Sequence, residues 1–429
     1  MHPIEDIVRR HKHGAPVGVT AVCSAHPLVI EAALTQALHR RQGAVLVEAT
    51  SNQVNQEGGY TGMTPVQFRD GVAAIAARIG FPIHRLVLGG DHLGPNPWTA
   101  QPAGQAMEKA AIMVADYVRA GFAKIHLDCS MRCADDPAVL SPQVIAERAA
   151  RLCQAAEDAF DGSAGQHPVY VIGTEVPVPG GAAETLDQLE VTAPDAALST
   201  IEMHRDLFAR AGLHAAWRRV VAVVVQPGVE FNHDTVIDYD PAKAAALRDA
   251  IATVDGIVFE AHSTDYQTPQ ALAALVRDHF AILKVGPGVT FALREALWAL
   301  DAIEQETVGA EDRANLRATA LARMHAAPRD WQRYYHATGR ALDLQLQYSL
   351  SDRIRYYWPD PQIAAAQARL FDNLRRTKPP LPLPLISQYL PNACATLRAG
   401  GGHADPIALV LAHIGTVLDA YHGACTQDA

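Results

Sequence analysis

The sequence predicts an α/β fold, a (β/α)8 or TIM barrel with a helical C-terminal extension, and three observations carry that prediction. Short β-branched runs recur eight times between segments of helical period, which is the pattern of consecutive βαβ units. Polar and charged residues gather where these runs end, and that is where a barrel of this kind keeps its reactive groups. After about residue 305 the strand runs stop, and helix and loop patterns continue to residue 429. The expected organisation is a barrel over 1–305 and a helical extension over 306–429 packed on it.

The expected strands, in order, are Val17–Cys23, Ala44–Ala49, Arg85–Gly89, Lys124–Cys129, Val169–Thr174, Val220–Gln226, Gly256–Ala261 and Ala281–Val285. Several intervening segments open with a capping residue and a proline at the first helical position: Thr64-Pro65, Ser141-Pro142 and Thr268-Pro269. Gly80 and Gly121 stand where a helix would end in a left-handed residue. Between them, Met107, Ala110, Ala111, Val114 and Val118 recur at helical spacing. The extension contains the run Ser349 to Trp358 and the proline-rich stretch Lys378 to Pro384. It would cover one barrel end, complete the site or make a subunit interface.

Composition narrows the function. Hydrophobic residues make up 49% of the 429, enough for a large core, and the net charge of -10 argues against a nucleic-acid surface. No apolar run approaches the roughly 20 residues that span a bilayer, and the charged N-terminus lacks the apolar region of a secretory signal. A cytoplasmic protein without nucleic-acid or membrane partners is expected, as a homo-oligomer. The six cysteines form no CxxC pair and read as reduced, partly buried thiols. Neither GxGxxG after a strand nor GxxxxGK[ST] occurs, so no nucleotide cofactor is expected, and kinase and nicotinamide-linked chemistry are disfavoured.

The strand ends carry Ser24 and His26; Glu48 and the loop with Asn52, Gln53 and Gln56; Asp91-His92; His126 and Asp128; Glu175; Gln226 with Glu230 and His233; Glu260 and His262; and Lys284. His126/Asp128 and Glu260/His262 are each spaced by two, so each pair shares one face of its strand. Charged groups rarely enter a barrel core unless paired or liganded, so the set points to a catalytic or ligand site. His92, Glu175 and His262, with Gln226 as a fourth candidate, have the composition of a divalent-metal site. Zn is the first choice, with Mn, Co or Ni as alternatives. Gly286-Pro287-Gly288 follows the last strand and opens the expected helix Val289–Ile303, the usual barrel position for a phosphate. Ser263 and Thr264 would add hydroxyls there; the alternative is a tight turn with a glycine cap.

The same stretches resemble a known family. Cys23 to Pro27, Glu48 to Gly62, Gly89 to Asn96, Gly173 to Gly181, Gln226 to Phe231, Glu260 to Thr268 and Ser349 to Trp358 are similar to the GatZ/KbaZ family over nearly the whole chain. The resemblance implies the non-catalytic subunit of a class II tagatose-1,6-bisphosphate aldolase, hence an aldolase chain as partner. Some members are described as C4-epimerases of tagatose, fructose or their phosphates, and older labels call members tagatose-6-phosphate kinases. A more distant similarity to catalytic class II aldolases implies that Asp91 handles protons and His92 binds metal. It also implies that Glu175 with Gly180-Gly181 is an acidic strand end, and that His262-Ser263 carries the last ligand. The departure is Gln226, which stands where those aldolases have a third histidine. Two functions follow. The first is a metal-dependent ketohexose or ketohexose-6-phosphate 4-epimerase. In it Asp91, then Glu260, is the candidate base, and Lys284 stabilises an oxyanion or phosphate. Asp128, Glu230, Glu48, Asn52, Gln53, Gln56 and Arg353 are candidates to orient the sugar. The second is an accessory subunit without chemistry of its own.

Overall fold

Eight parallel strands close into a barrel: β1 (Val19–Cys23), β2 (Val45–Thr50), β3 (Leu86–Leu93), β4 (Lys124–Leu127), β5 (Val169–Ile172), β6 (Val220–Val225), β7 (Val258–Ala261) and β8 (Ile282–Val285). Each strand bonds its neighbours in sequence, and β8 returns to β1. The structure, a computed structural model, describes residues 1–162, 165–174, 189–400 and 404–426.

Local chemistry sets the elements. Thr64, Ser141 and Thr268 each accept a backbone N–H of the helix they open, with proline at the first turn, and Gly80 ends its helix at φ 72°. The strands are nearly continuous apolar runs because both faces are covered. The main departure from the expected boundaries is β3, which runs on through Asp91 and His92 to Leu93 after a register slip against β4. A two-residue hairpin, Glu230–Phe231 with Val236–Ile237, follows β6 and was not anticipated. The last barrel helix is Pro287–Thr307, longer than expected at both ends.

The barrel interior has two levels. At the N-terminal end Val19, Leu46, Val87, Val169, Val171 and Ile282 pack with Ile4 and Val8 of the helix Pro3–Lys12, which plugs that mouth. Above them the inward positions turn polar. Gly89 makes room for this change: a Cβ there would fall 2.5 Å from Glu48 Oε1.

From residue 308 onward the chain is helix and loop among the described residues. Its buried residues, including Ile354, Trp358, Leu409 and Ile414, join the same apolar core as the barrel helices. The helix Pro406–Thr426 is long and apolar enough by length and composition to cross a membrane, which the sequence reading did not register because His, Gly and Asp interrupt it. It packs beside the helix Pro27–His39 and reaches the barrel, where Cys425 accepts the Gly18 N–H at 2.9 Å. All six cysteines are free and buried.

Candidate active site

Strand alternation points Glu48, Lys124, Glu260 and Lys284 into the barrel. All four are buried. Lys124 Nζ lies 2.7 Å from Glu48 Oε1 and 2.6 Å from Glu260 Oε2. Lys284 Nζ lies 2.5 Å from Glu48 Oε2 and 2.6 Å from Asp91 Oδ1. Glu48 thus bridges two ammonium groups. Burial alone would lower both lysines, but the adjoining carboxylates win and raise them, Lys284 well above the ordinary range.

Three imidazoles stand over this layer. The ring centroids of His92, His126 and His262 are 4.8 to 5.2 Å apart. His92 Nδ1 is 2.7 Å from Asp128 Oδ2, and Asp128 Oδ1 accepts both the Ser130 N–H and its hydroxyl. His126 Nδ1 is 2.9 Å from Asp91 Oδ1, and His262 Nε2 is 3.0 Å from Glu260 Oε1. Burial opposes charge on Asp91, yet His92, Lys284 and the His126 hydrogen bond hold it well below the usual carboxylate range. Burial pushes His262 down to about 3. His92 (φ 48°) and Ser263 (φ 53°) have left-handed backbones, a strain of about 1–3 kcal/mol each of the kind that collects at working sites.

This arrangement fits a divalent ion on two grounds. Three buried carboxylates, Glu48, Asp91 and Glu260, face two lysines and a fourth, Asp128, faces His92, which leaves negative charge to be balanced among the described residues. His126 Nε2 is buried with no partner among the described residues, and ligand atoms of Asp91, His126, Glu260 and His262 lie within 4.8 Å of one another. Asp91 and Glu260 already pair with lysines, so the imidazoles are the available donors, with Asp128 orienting His92 from behind.

Above the imidazoles is a cavity lined by Asp91, His92, His262, Lys284, Asn52, Gln53, Ser263 and Gly286, all anticipated. Cys23, Tyr60, Asp265, Arg355 and Tyr356 also line it and were not assigned from the sequence. Arg355 and Tyr356 come from the extension, which therefore completes the site. The Arg355 guanidinium lies 4.7 Å from the Tyr356 ring centre; burial would raise that phenol, but Arg355 and Arg353 lower it. Cys23 donates its thiol to Asp91 Oδ2 at 3.4 Å.

Several expectations need correction. Gln226 does not join the ligand group: its Oε1 accepts the N–H groups of Gly228 and Val229, closing its own turn. Gln56 does not line the cavity and donates to the Lys109 carbonyl at 3.0 Å. Arg353 stacks 3.5 Å from the Tyr334 ring centre and donates to the Asp330 carbonyl, so Arg355 takes the place expected for it. Glu48, Asp128 and Glu260 lie beneath or behind the cavity lining, and Glu230 stands behind Ser263, accepting its hydroxyl at 3.2 Å. Gly286 and Gly288 hold no open phosphate cradle, because both N–H groups donate to Asp265 Oδ1, at 2.9 and 2.7 Å. Glu175 lies outside the described residues. Lys124 was missed, and His126, counted among the polar strand ends, was given no ligand role. Their signal was the i, i+2, i+4 alternation Lys124, His126, Asp128.

Among solved structures, one described as "a probable tagatose 6 phosphate kinase from Sinorhizobium meliloti 1021" is 50% identical with a TM-score of 0.87, covering 95% of this chain and 100% of that one. Fructuronate-tagaturonate epimerase UxaE from Cohnella laeviribosi is 15% identical with a TM-score of 0.49, covering 94% and 81%. A fructose-bisphosphate aldolase (Fba) from Campylobacter jejuni is 12% identical with a TM-score of 0.46, covering 87% and 94%. These two remote likenesses carry no functional weight. A family profile described as D-tagatose-1,6-bisphosphate aldolase subunit GatZ/KbaZ-like matches residues 4–426, and on that span the chain belongs to the GatZ/KbaZ-like family.

Proposed function

We propose that this chain is a divalent-metal-dependent 4-epimerase of a ketohexose or ketohexose 6-phosphate, interconverting the tagatose and fructose configurations. The observation that carries the reading is Asp91, paired with Lys284 at the cavity floor beside three clustered imidazoles.

The chemistry follows from the substrate class. The C4 hydrogen of a 2-ketose is β to the carbonyl and is not acidic, so direct deprotonation cannot invert C4. Retro-aldol cleavage avoids the problem. A base takes the C4 hydroxyl proton, C4 becomes an aldehyde, and the C3–C4 electron pair passes into an enediolate over C2 and C3. The aldehyde turns its other face to C3, the bond reforms, and the proton returns to the C4 oxygen. Two carboxylates line the cavity; Asp265 is tied to the Gly286 and Gly288 amides, and Asp91 stands beside the imidazoles, so Asp91 is the base. Glu260, beneath the cavity lining between Lys124 and His262, holds His262 in place. Lys284 places positive charge where an oxyanion develops. Asn52, Gln53 and Ser263 offer polar groups to the hydroxyls, and Arg355 and Tyr356 close the cavity over them. His92, His126 and His262 would hold the ion. Bound there, it supplies Lewis acidity toward the C2 oxygen.

Asp91→Ala and His262→Ala test this reading. Each is expected to lower kcat by about 10²–10⁴-fold or more in a protein that still folds by circular dichroism. Full activity in both variants would sink it. A second reading, an accessory subunit for an aldolase chain, has the family description in its favour. It predicts no metal in the purified chain and no epimerised product.

A further inference from the structure

We propose that Asp265 makes the β8 end of the cavity a hydroxyl site closed to phosphate, so that a ketohexose bisphosphate is not a substrate. This rests on the reading of the cavity as a ketose site.

The helix Pro287–Thr307 begins directly after β8, with Gly286 as its cap. In such barrels the backbone N–H groups at this helix start are the usual seat of a phosphate. Here an anion is already in the seat. Asp265, from the turn after β7, accepts the N–H groups of Gly286 and Gly288 on one oxygen, Oδ1. The carboxylate is 3% exposed and also lines the cavity. The sequence around it is fitted to this contact: a Cβ at position 288 would stand 3.1 Å from Asp265 Oδ1. Glycine at 288 therefore lets the side chain approach the amides.

Two consequences follow for what enters. A phosphate brought to this turn finds its donors taken and meets a carboxylate of its own sign. A neutral hydroxymethyl group meets the same carboxylate as a hydrogen-bond acceptor. A ketohexose bisphosphate has a phosphate at each end and cannot avoid the turn. A free ketohexose can, and so can a monophosphate whose phosphate lies at the far end.

Calorimetric titration of the metal-loaded protein tests this, with fructose 1,6-bisphosphate as the probe and fructose as the control. Wild type, Asp265→Ser and Asp265→Asn are compared. Any contact between phosphate and a bound ion is common to all three proteins and drops out of the comparison. Asp265→Ser frees the amides and removes the charge, and is expected to bind the bisphosphate at least about tenfold tighter than wild type. Asp265→Asn keeps the side chain's shape and removes only the charge; it is expected to gain about threefold, and it decides the matter if the serine variant does not fold. A folded variant that gains nothing for the bisphosphate, or gains as much for fructose, would overturn the proposal. The titration reads binding and not turnover, so a failure of the epimerase reading would appear in the activity assay and leave this result standing.

Discussion

The two levels of the barrel interior follow opposite rules. The lower level is apolar, filled by Val19, Leu46, Val169, Val171, Ile282 and the plugging Ile4 and Val8. Each side chain there is held by shape, and losing one leaves a cavity. The upper level, on the same strands, is filled by Glu48, Lys124, Glu260, Lys284 and Asp91. Each group there is held by the charge of its neighbours, and losing one strands the rest. The difference shows how one scaffold serves two ends. The lower level stabilises, and the upper level holds ionised groups that cost stability unless every partner is present.

The largest effect should come from the upper level. Lys124→Met keeps the volume, leaves Glu48 with Lys284 alone and takes from Glu260 its nearest ammonium, and is expected to cost about 3–5 kcal/mol in urea unfolding. A loss below about 1 kcal/mol would mean that the charges do not hold one another. In the lower level, Ile282→Ala is expected to cost about 2–5 kcal/mol through its cavity while leaving kcat unchanged. A fall in kcat as large as that in Asp91→Ala would erase the distinction between levels.

Lone buried imidazoles sharpen the contrast, because they have no counter-charge among the described residues. His204 bonds the Thr200 carbonyl at 2.8 Å, and burial lowers its pKa to about 4. The unfolded chain, with histidine near about 6.5, takes up the proton first. This contribution to stability is therefore complete above pH about 6.5 and is lost as pH falls through the folded value. Denaturation curves from pH about 7.5 down to about 4 should show the loss, and His204→Gln should flatten it; an unchanged slope would contradict the assignment. The smallest effect belongs to an exposed pair. Arg40 and Asp419 are 2.9 Å apart with half-exposed side chains, and Arg40→Ala is expected to cost no more than about 1 kcal/mol.

Much of this was legible in the sequence. The eight strands were readable because buried parallel strands are short Val- and Ile-rich runs between capped helices. Asp91, His92, His262 and Lys284 were readable because charged residues at such run ends are costly unless used. What stayed hidden depended on neighbours distant in sequence. Lys124 looks like an ordinary polar residue at the start of a strand until Glu48 and Glu260 are placed beside it. The amides of Gly286 and Gly288 look open until Asp265 is seen to fill them. The exchange of Arg353 for Arg355 turned on the course of one 3-10 helix, Arg353–Tyr357, and Gln226 on a side chain that closed its own turn.

The central claim, that this chain inverts C4 by breaking and remaking C3–C4, has one most direct test. The chain is purified alone, loaded in turn with Zn, Mn, Co and Ni, and incubated with fructose and, separately, fructose 6-phosphate in deuterated water while products are followed by NMR. The account predicts the tagatose epimer of at least one of the two, formed without any aldolase chain, stopped by a chelator, and carrying protium at C4. No epimer of either sugar from the folded, metal-loaded protein, or deuterium at C4, would contradict it.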